Sequence, residues 1–260
     1  MTIQTLVSCV NQDVQTIAEK MNLQTDAIVI NQCNNNGYLE YEYKGNKICC
    51  YSFAEKGVGL SRNNALLRAT ADIVLFSDED IVYEDGYSQK ILEEFERYPK
   101  MQILLFNMDV AEDRRTYYTT QPSKVKWYNC GRYPTYSFAI RREQLHKANV
   151  TFSLLFGGGA KYSNGEDSIF IRDCLKKGLH AMAVPVTIGK EVPRPSTWFN
   201  GYNEKFFFDR GVLYACLYGR MARPFALRFL LKHRNIMFKE EYPISMKQAY
   251  FLMMQGLKEF

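Results

Sequence analysis

A chain of 260 residues that is 47% apolar and 23% charged can bury one large core, which excludes a disordered or fibrous polypeptide. Its net charge of +5 is mild, and no uncharged run reaches the roughly 18 residues a spanning helix needs, so no transmembrane segment is expected. The seven cysteines contain no Cys-x-x-Cys pair and read as reduced, mostly buried groups, and Met1 to Thr5 lacks the features of a secretion signal, so a cytoplasmic protein is expected.

Thr5 to Val10 is an apolar strand stopping at Asn11-Gln12-Asp13, after which Val14, Ile17, Ala18 and Met21 recur at helical spacing. Ala27 to Ile30 is a second strand, stopping at Asn31-Gln32-Cys33-Asn34. Strand, helix, strand predicts a parallel pair with a right-handed crossover. Asn11 and Asn31 then stand at strand exits, where they either hydrogen-bond a heterocycle or ribose or build ordinary Asn-rich turns. Tyr38 to Tyr43 and Lys47 to Ser52 flank Lys44-Gly45-Asn46 and read as a hairpin or a strand with an irregular arm. Ser61-Arg62-Asn63-Asn64 follows a Gly-Val-Gly; Ser61 suits the N-cap of a helix whose Leu66, Leu67 and Ala69 face the sheet. A cation at Arg62, in the first turn, opposes the helix dipole, so it either faces an anion or lies on the surface.

Ile73 to Phe76 is a short continuous apolar run, as in a strand buried on both faces, and it leads into Asp78-Glu79-Asp80. Ligands of open α/β sheets lie beyond the carboxyl ends of the strands, so this triplet can meet a hard cation and an anionic ligand, unless it is only a solvated turn. Tyr87 to Tyr98 reads as an amphipathic helix, Gln102 to Met108 as a strand, Asp109 to Lys126 as a long loop or the entry to an inserted acceptor-side region, Ser137 to Ile140 as a strand and Glu143 to Ala148 as a short helix.

Gly157-Gly158-Gly159 predicts a mobile or closely approached backbone that must admit something. A helix follows to about Lys177. Ser163-x-x-Glu166 matches a capping box, which explains Glu166 and leaves Asp167 unexplained; a carboxylate held in a first helical turn suits a general base. His180 to Val186 is a further strand, and Pro185, Pro193 and Pro195 bracket a loop carrying Thr187, Lys190 and Arg194, whose cations either close over a diphosphate or stay solvated. Trp198 to Tyr214 is aromatic and mostly core. From Gly211 to Lys239 there are six Lys or Arg and no acid. Pro224 suits the first position of a helix with Arg228 and Lys232 opposite Phe225, Phe229 and Leu230: a membrane-surface element, or a helix docked on the domain with a solvated basic face. Ser245 to Lys258 is the last helix.

A parallel αβ half, Ser61-Arg62-Asn63-Asn64 on a helix, a strand into Asp78-Glu79-Asp80, and Gly165-Glu166-Asp167 further on together resemble the bacterial family-two glycosyltransferases of GT-A fold, most of all those of capsule, exopolysaccharide or O-antigen assembly. The resemblance implies an α/β, GT-A type fold: a Rossmann-like, mostly parallel central sheet flanked by helices, with a helical C-terminal extension. The transferase domain would span 1–218, with a nucleotide-sugar half (1–110) and an acceptor half (111–218), and the extension 219–260. It implies an inverting transfer from a nucleotide-sugar, of UDP type, to a growing glycan linked to a polyprenyl diphosphate; peripheral contact with an anionic inner membrane is the membrane-surface reading of the basic helix and not part of the resemblance. Asp80, with Asp78, would hold Mg²⁺ or Mn²⁺; Asn11, Asn31, Arg62, Asp78, Glu79 and Lys190 would surround the donor; Asp167, with Glu166, would serve the acceptor as base. Asn31-Gln32-Cys33-Asn34 departs from the Asp-Asp of many relatives, and Lys190 stands in a segment where many carry a His. Competing readings are a sugar nucleotidyltransferase, disfavoured by the absence of a Gly-rich cationic loop at Ser8 to Asn11, a catalytically silent glycan-binding module of the same fold, and a two-carboxylate glycosidase. No recognised nucleic-acid motif accompanies the basic stretch, which argues against that class of partner.

Overall fold

The computed structural model describes residues 1–112, 114–193, 201–238 and 244–259. Strand β1 (Ile3–Val10) is buried up to its last residue, and β2 (Asp26–Gln32) returns parallel to it. The crossover helix α1 is a single turn (Ile17–Lys20), shorter than the spacing of Val14 to Met21 predicts, because Asn22 takes a left-handed φ of 52° and turns the chain toward β2. Strands β3 (Gly37–Tyr43) and β4 (Asn46–Phe53) form the expected hairpin. Lys44 and Gly45 at its tip have φ of 50° and 75°, the left-handed pair whose twist matches the flanking strands. Helix α2 (Val58–Arg68) leads to β5 (Ile73–Asp78), which lies parallel to β1 on the side away from β2. Ser61 is not the N-cap: α2 starts a turn earlier, after Gly57 at φ 124°, a conformation that strains L side chains.

The chain continues through β6 (Ile81–Tyr83), α3 (Tyr87–Arg97), β7 (Ile103–Asp109), β8 (Ser123–Lys124), β9 (Phe138–Arg141), α4 (Arg142–Ala148), α5 (Glu166–Lys176) and β10 (Ala181–Glu191). The sheet order is β3-β4-β2-β1-β5-β9-β7-β10-β6, with β8 paired to β10. Strand β9 runs antiparallel between β5 and β7, so the halves 1–110 and 111–218 share one sheet. The expected strand to Val186 continues to Glu191: the register slips between Ala183 and Thr187, where Pro185 lacks an N–H for the ladder. This places Thr187 and Lys190 in a strand rather than a loop. Arg194, Pro195 and Trp198 lie outside the described residues.

Neighbouring residues of the central strands face opposite sides, and both sides are covered. Val7, Val29 and Leu75 pack with Tyr87, Ile91 and Phe95 of α3. Leu6, Ile30 and Phe76 pack with Phe170 of α5 and with the C-terminal helices. Burial on both faces is why these strands read as continuous apolar runs.

The last helices are α6 (Glu204–Tyr218), α7 (Ala222–Lys232), the one-turn α8 (Arg234–Met237) and α9 (Met246–Gly256). Ala222, Ala226, Leu230 and Met253 belong to the same buried cluster as Phe207 and Leu213, so residues beyond 218 pack onto the main core. Helices α6 and α9 dovetail through glycine: a Cβ on Gly211 would strike the Met253 carbonyl, and one on Gly256 the Phe208 carbonyl. Pro224 is the third residue of α7, not the first. Ser245 caps α9 with a reciprocal Gln248 contact. Among the described residues, no helix is long and apolar enough to cross a membrane.

Candidate active site

The acidic triplet sits where the strand pattern predicts. Asp78 ends β5, and Glu79 and Asp80 form the turn into β6. That turn is pinned from two sides: Val10 N–H at the exit of β1 donates to Glu79 Oε2 at 3.1 Å, and Val192 N–H donates to the Asp80 carbonyl at 2.7 Å. Tyr136 is half-buried beside it. Burial first, then the charges of Glu191, Asp78 and Asp80, push its phenol well above the usual range. Glu191 stands opposite Ile81 in the register of β10 with β6, next to the turn that holds Asp80, and is paired with Arg114. Among the described residues, no group of three or more His, Cys, Asp or Glu is arranged to hold a metal by itself. Mg²⁺ and Mn²⁺ need only one or two carboxylates when a ligand's phosphates complete the shell, and the oxygen donors of Asp80 and Glu191 suit that chemistry.

Arg62 joins this turn to the second acidic stretch. Its guanidinium is buried, donating from Nη2 to Asp78 Oδ1 at 2.9 Å and from Nη1 to Glu166 Oε1 at 2.7 Å. Burial opposes its charge, but Asp78 and Glu166 outweigh that and hold it firmly protonated. The anion that a cation early in α2 demands is thus supplied by the protein itself. The rest of the Ser-Arg-Asn-Asn run also binds outward: Ser61 Oγ meets Ser8 Oγ at 2.9 Å, Asn63 exchanges two hydrogen bonds with the Phe152 backbone, and Asn64 donates to Glu55. Four consecutive side chains rivet α2 to five separate segments.

The capping box does not form. Gly165, at φ 110°, is the N-cap of α5 and makes no side-chain cap; Ser163 instead donates from its N–H and Oγ to Asp209, both at 2.9 Å. Glu166 is thereby released to Arg62. Two of the three glycines are explained by close approach: a Cβ on Gly157, at φ 102°, would strike Val58 and the Glu166 carboxyl, and one on Gly159, at φ 81°, would crowd the Gly57 backbone, while Val58 N–H donates to the Gly158 carbonyl at 3.0 Å. The loop is packed between α2 and α5, which replaces the expectation that it admits a ligand.

Asp167 follows at the first turn of α5, half-buried, with Oδ1 accepting from Ser168 N–H at 2.6 Å and Ser168 Oγ at 3.0 Å. Burial and the neighbouring Glu166 carboxylate push its carboxyl up to about 7 against the lowering effect of those bonds and of Arg62. A carboxyl in that range can both take and release a proton near neutrality.

Other expected donor residues are placed differently. Asn31 is buried, its amide clamping the Gln12 backbone through N–H and carbonyl, both at 3.1 Å, so it braces the loop after β1 and does not present that amide to a ligand. Asn11 is exposed at φ 51°, with its N–H donating to the Gln32 carbonyl. Lys190 is exposed on β10, in register with Val82 and Asp109. Glu79 serves the β1 contact described above. Sequence reasoning missed Tyr136 and Glu191; nothing local marks them, since a bulged strand and an antiparallel return bring them to the triplet.

The profile described as "Glycosyl transferase family 2" matches residues 4–156. No curated protein matches the chain by sequence. Among solved structures, S. aureus TarS 1-349 in complex with UDP-GlcNAc superposes with a TM-score of 0.67 at 13% identity, covering 99% of this chain and 82% of that one. The same TarS fragment in complex with UDP gives 0.62 at 13% identity over 100% of this chain and 82% of that one. At such identity the likeness establishes a shared fold, here the GT-A-like arrangement of a mixed sheet flanked by helices.

Proposed function

The chain belongs to glycosyl transferase family 2, and from that membership and the two acidic stretches we propose an inverting transfer of a sugar from a nucleotide-sugar donor to a glycan hydroxyl. The observation that carries this reading is Arg62, whose guanidinium joins the strand-exit acids to Glu166, the neighbour of Asp167, across 2.9 and 2.7 Å. This linkage supports a reading in which the two acidic stretches serve the two sides of one sugar.

In this reading Asp167 accepts the proton of the acceptor hydroxyl while that oxygen attacks the anomeric carbon, and the nucleoside diphosphate leaves with the bonding pair. Asp80, with Asp78 and Glu191 beside it, would hold Mg²⁺ or Mn²⁺, whose positive charge stabilises the departing diphosphate. Asp78, held by Arg62, orients the donor side of the turn. Uridine diphosphate is the favoured nucleotide because the TarS structures hold UDP-GlcNAc and UDP. The acceptor proposed is a growing, lipid-linked cell-surface polysaccharide, a class in which many hydroxyls need a base of this kind.

Thermal shift with UDP, with and without Mn²⁺, tests the donor half. Binding raises the melting temperature in proportion to occupancy, and the rise is expected only with the metal and not in Asp80→Ala. A nucleotide shift that ignores both Mn²⁺ and Asp80 would remove the proposed site. Release of UDP from a panel of UDP-sugars then separates a transferase from a silent module.

A further inference from the structure

A hollow lies on the helical side of the molecule, away from Arg62. The C-terminal end of α6, the start of α7 and the last turns of α9 enclose a cleft of about 670 Å³. Arg220, Arg223 and Lys258 line it, all exposed, while Ala222 is buried and Tyr250, Met254 and Leu257 are half-buried. Among the described residues, no carboxylate lines it. Three like charges around one hollow repel each other, and an arriving anion relieves that repulsion. The apolar part of the lining calls for something more than an inorganic ion.

The adjoining surface of α7 has the matching chemistry. Arg223, Leu227 and Leu231 recur every four residues and so share one helix face, with Arg228 and Lys232 alongside at the same spacing. Leu227 and Leu231 are 47% and 48% exposed, and Met221, beside the cleft, is 48% exposed. Isolated exposed leucines are ordinary, but here they continue a cationic cleft on a stretch from Gly211 to Lys239 that contains no acid. A second copy of the chain meeting this face across a twofold axis would set cations against cations. An anionic bilayer complements both features at once, phosphates for the cleft and the acyl boundary for the leucines.

We infer that the face formed by α7 and the α6–α7–α9 cleft docks on an anionic phospholipid bilayer, with the cleft receiving a headgroup phosphate. The dovetail of Gly211 and Gly256 makes α6 and α9 one rigid wall of that cleft. Tyr218, the last residue of α6, reaches back to the other site: a Cβ on Gly131 would lie 3.1 Å from its hydroxyl and 3.8 Å from Ser168 Oγ, the group that donates to Asp167. Docking at the cleft would therefore set the membrane surface beside the proposed base, where a lipid-linked acceptor emerges. The docking itself does not depend on the transferase reading, because its test measures no sugar transfer.

The test is co-sedimentation of the full chain with vesicles of phosphatidylcholine alone and of phosphatidylcholine with phosphatidylglycerol. Pelleting is expected with the anionic vesicles only, and it weakens as salt rises because exposed charges are screened. Arg220→Gln, Arg223→Gln and Lys258→Gln together are expected to weaken partitioning roughly a hundredfold, from the contribution of each cation near an anionic surface. Leu227→Asp, outside the cleft, is expected to weaken it too while leaving the UDP thermal shift intact. Equal pelleting with both vesicles, pelleting with neither, or a triple variant that pellets like the wild type overturns the inference. So does displacement by inorganic phosphate at matched ionic strength, which would make the cleft a site for the free ion.

Discussion

Asp167→Asn is expected to stabilise the protein at alkaline pH while removing its activity. Asparagine keeps an Oδ1 that can accept the two Ser168 bonds, so the substitution removes the charge and little else. Burial and Glu166 raise the Asp167 carboxyl from an ordinary 3.8 to about 7. At about 1.4 kcal/mol per pH unit the penalty for holding it charged has a ceiling near 4 kcal/mol, and discounting for the exposed part of the side chain leaves about 2 kcal/mol. The folded state holds this proton more tightly than the unfolded chain does, so the stabilising contribution is complete below about pH 4 and is lost as pH rises through about 7. The Asn variant should therefore melt a few degrees higher than the wild type at pH 8, with the gap nearly closed at pH 4.5. Sugar transfer by the variant should fall by roughly 10²–10⁴, and wild-type transfer at saturating donor should rise with pH through about 7. Paired melting curves at the two pH values and initial-rate assays measure both halves. A melting gap that does not change with pH refutes the raised carboxyl, and a variant keeping a tenth of the activity refutes the base.

Arg62→Gln leaves Asp78 and Glu166 facing each other without their shared cation, and urea denaturation should show a loss of about 3–5 kcal/mol, the range for breaking a buried ion pair. A loss below about 1 kcal/mol would mean the bridge is incidental. Gly211→Val should destabilise by about 1–3 kcal/mol through its collision with the Met253 carbonyl, a result visible in thermal melting; a tolerated valine would contradict the close approach of α6 and α9. Gly157→Ala combines a strained φ with contact at Glu166, so it should lower both melting temperature and transfer rate; an unchanged rate would separate the loop from the site.

Features written into consecutive residues were legible from sequence. The apolar run of β5 with acids at its exit, the Lys44-Gly45 hairpin and the parallel pair of β1 and β2 follow from local pattern, and the structure has all three. What a polar side chain touches across the fold was not legible. Ser61 and Ser163 both fit cap patterns, yet each bonds a distant residue, because tertiary partners outcompete a cap that glycine at Gly57 or Gly165 makes unnecessary. Asn31 looked like a ligand contact for the same reason: an amide at a strand exit serves a loop backbone as readily as a base. Pro185 reads as a strand terminator, but a bulge lets β10 run on to Glu191 and bring that carboxylate toward the triplet. The pairing of Arg62 with two acids far along the chain was open only as a question about which anion faced it.

The place of β9 bears on how the molecule is made. Because Phe138–Arg141 inserts between β5 and β7, a ribosome-bound chain that has emerged only as far as Asp109 carries two strands whose common neighbour has not yet emerged. Their facing amide edges stay open to other nascent chains until that neighbour emerges, and the outer edge of β7 until β10 follows, so chaperone protection has to last through both intervals.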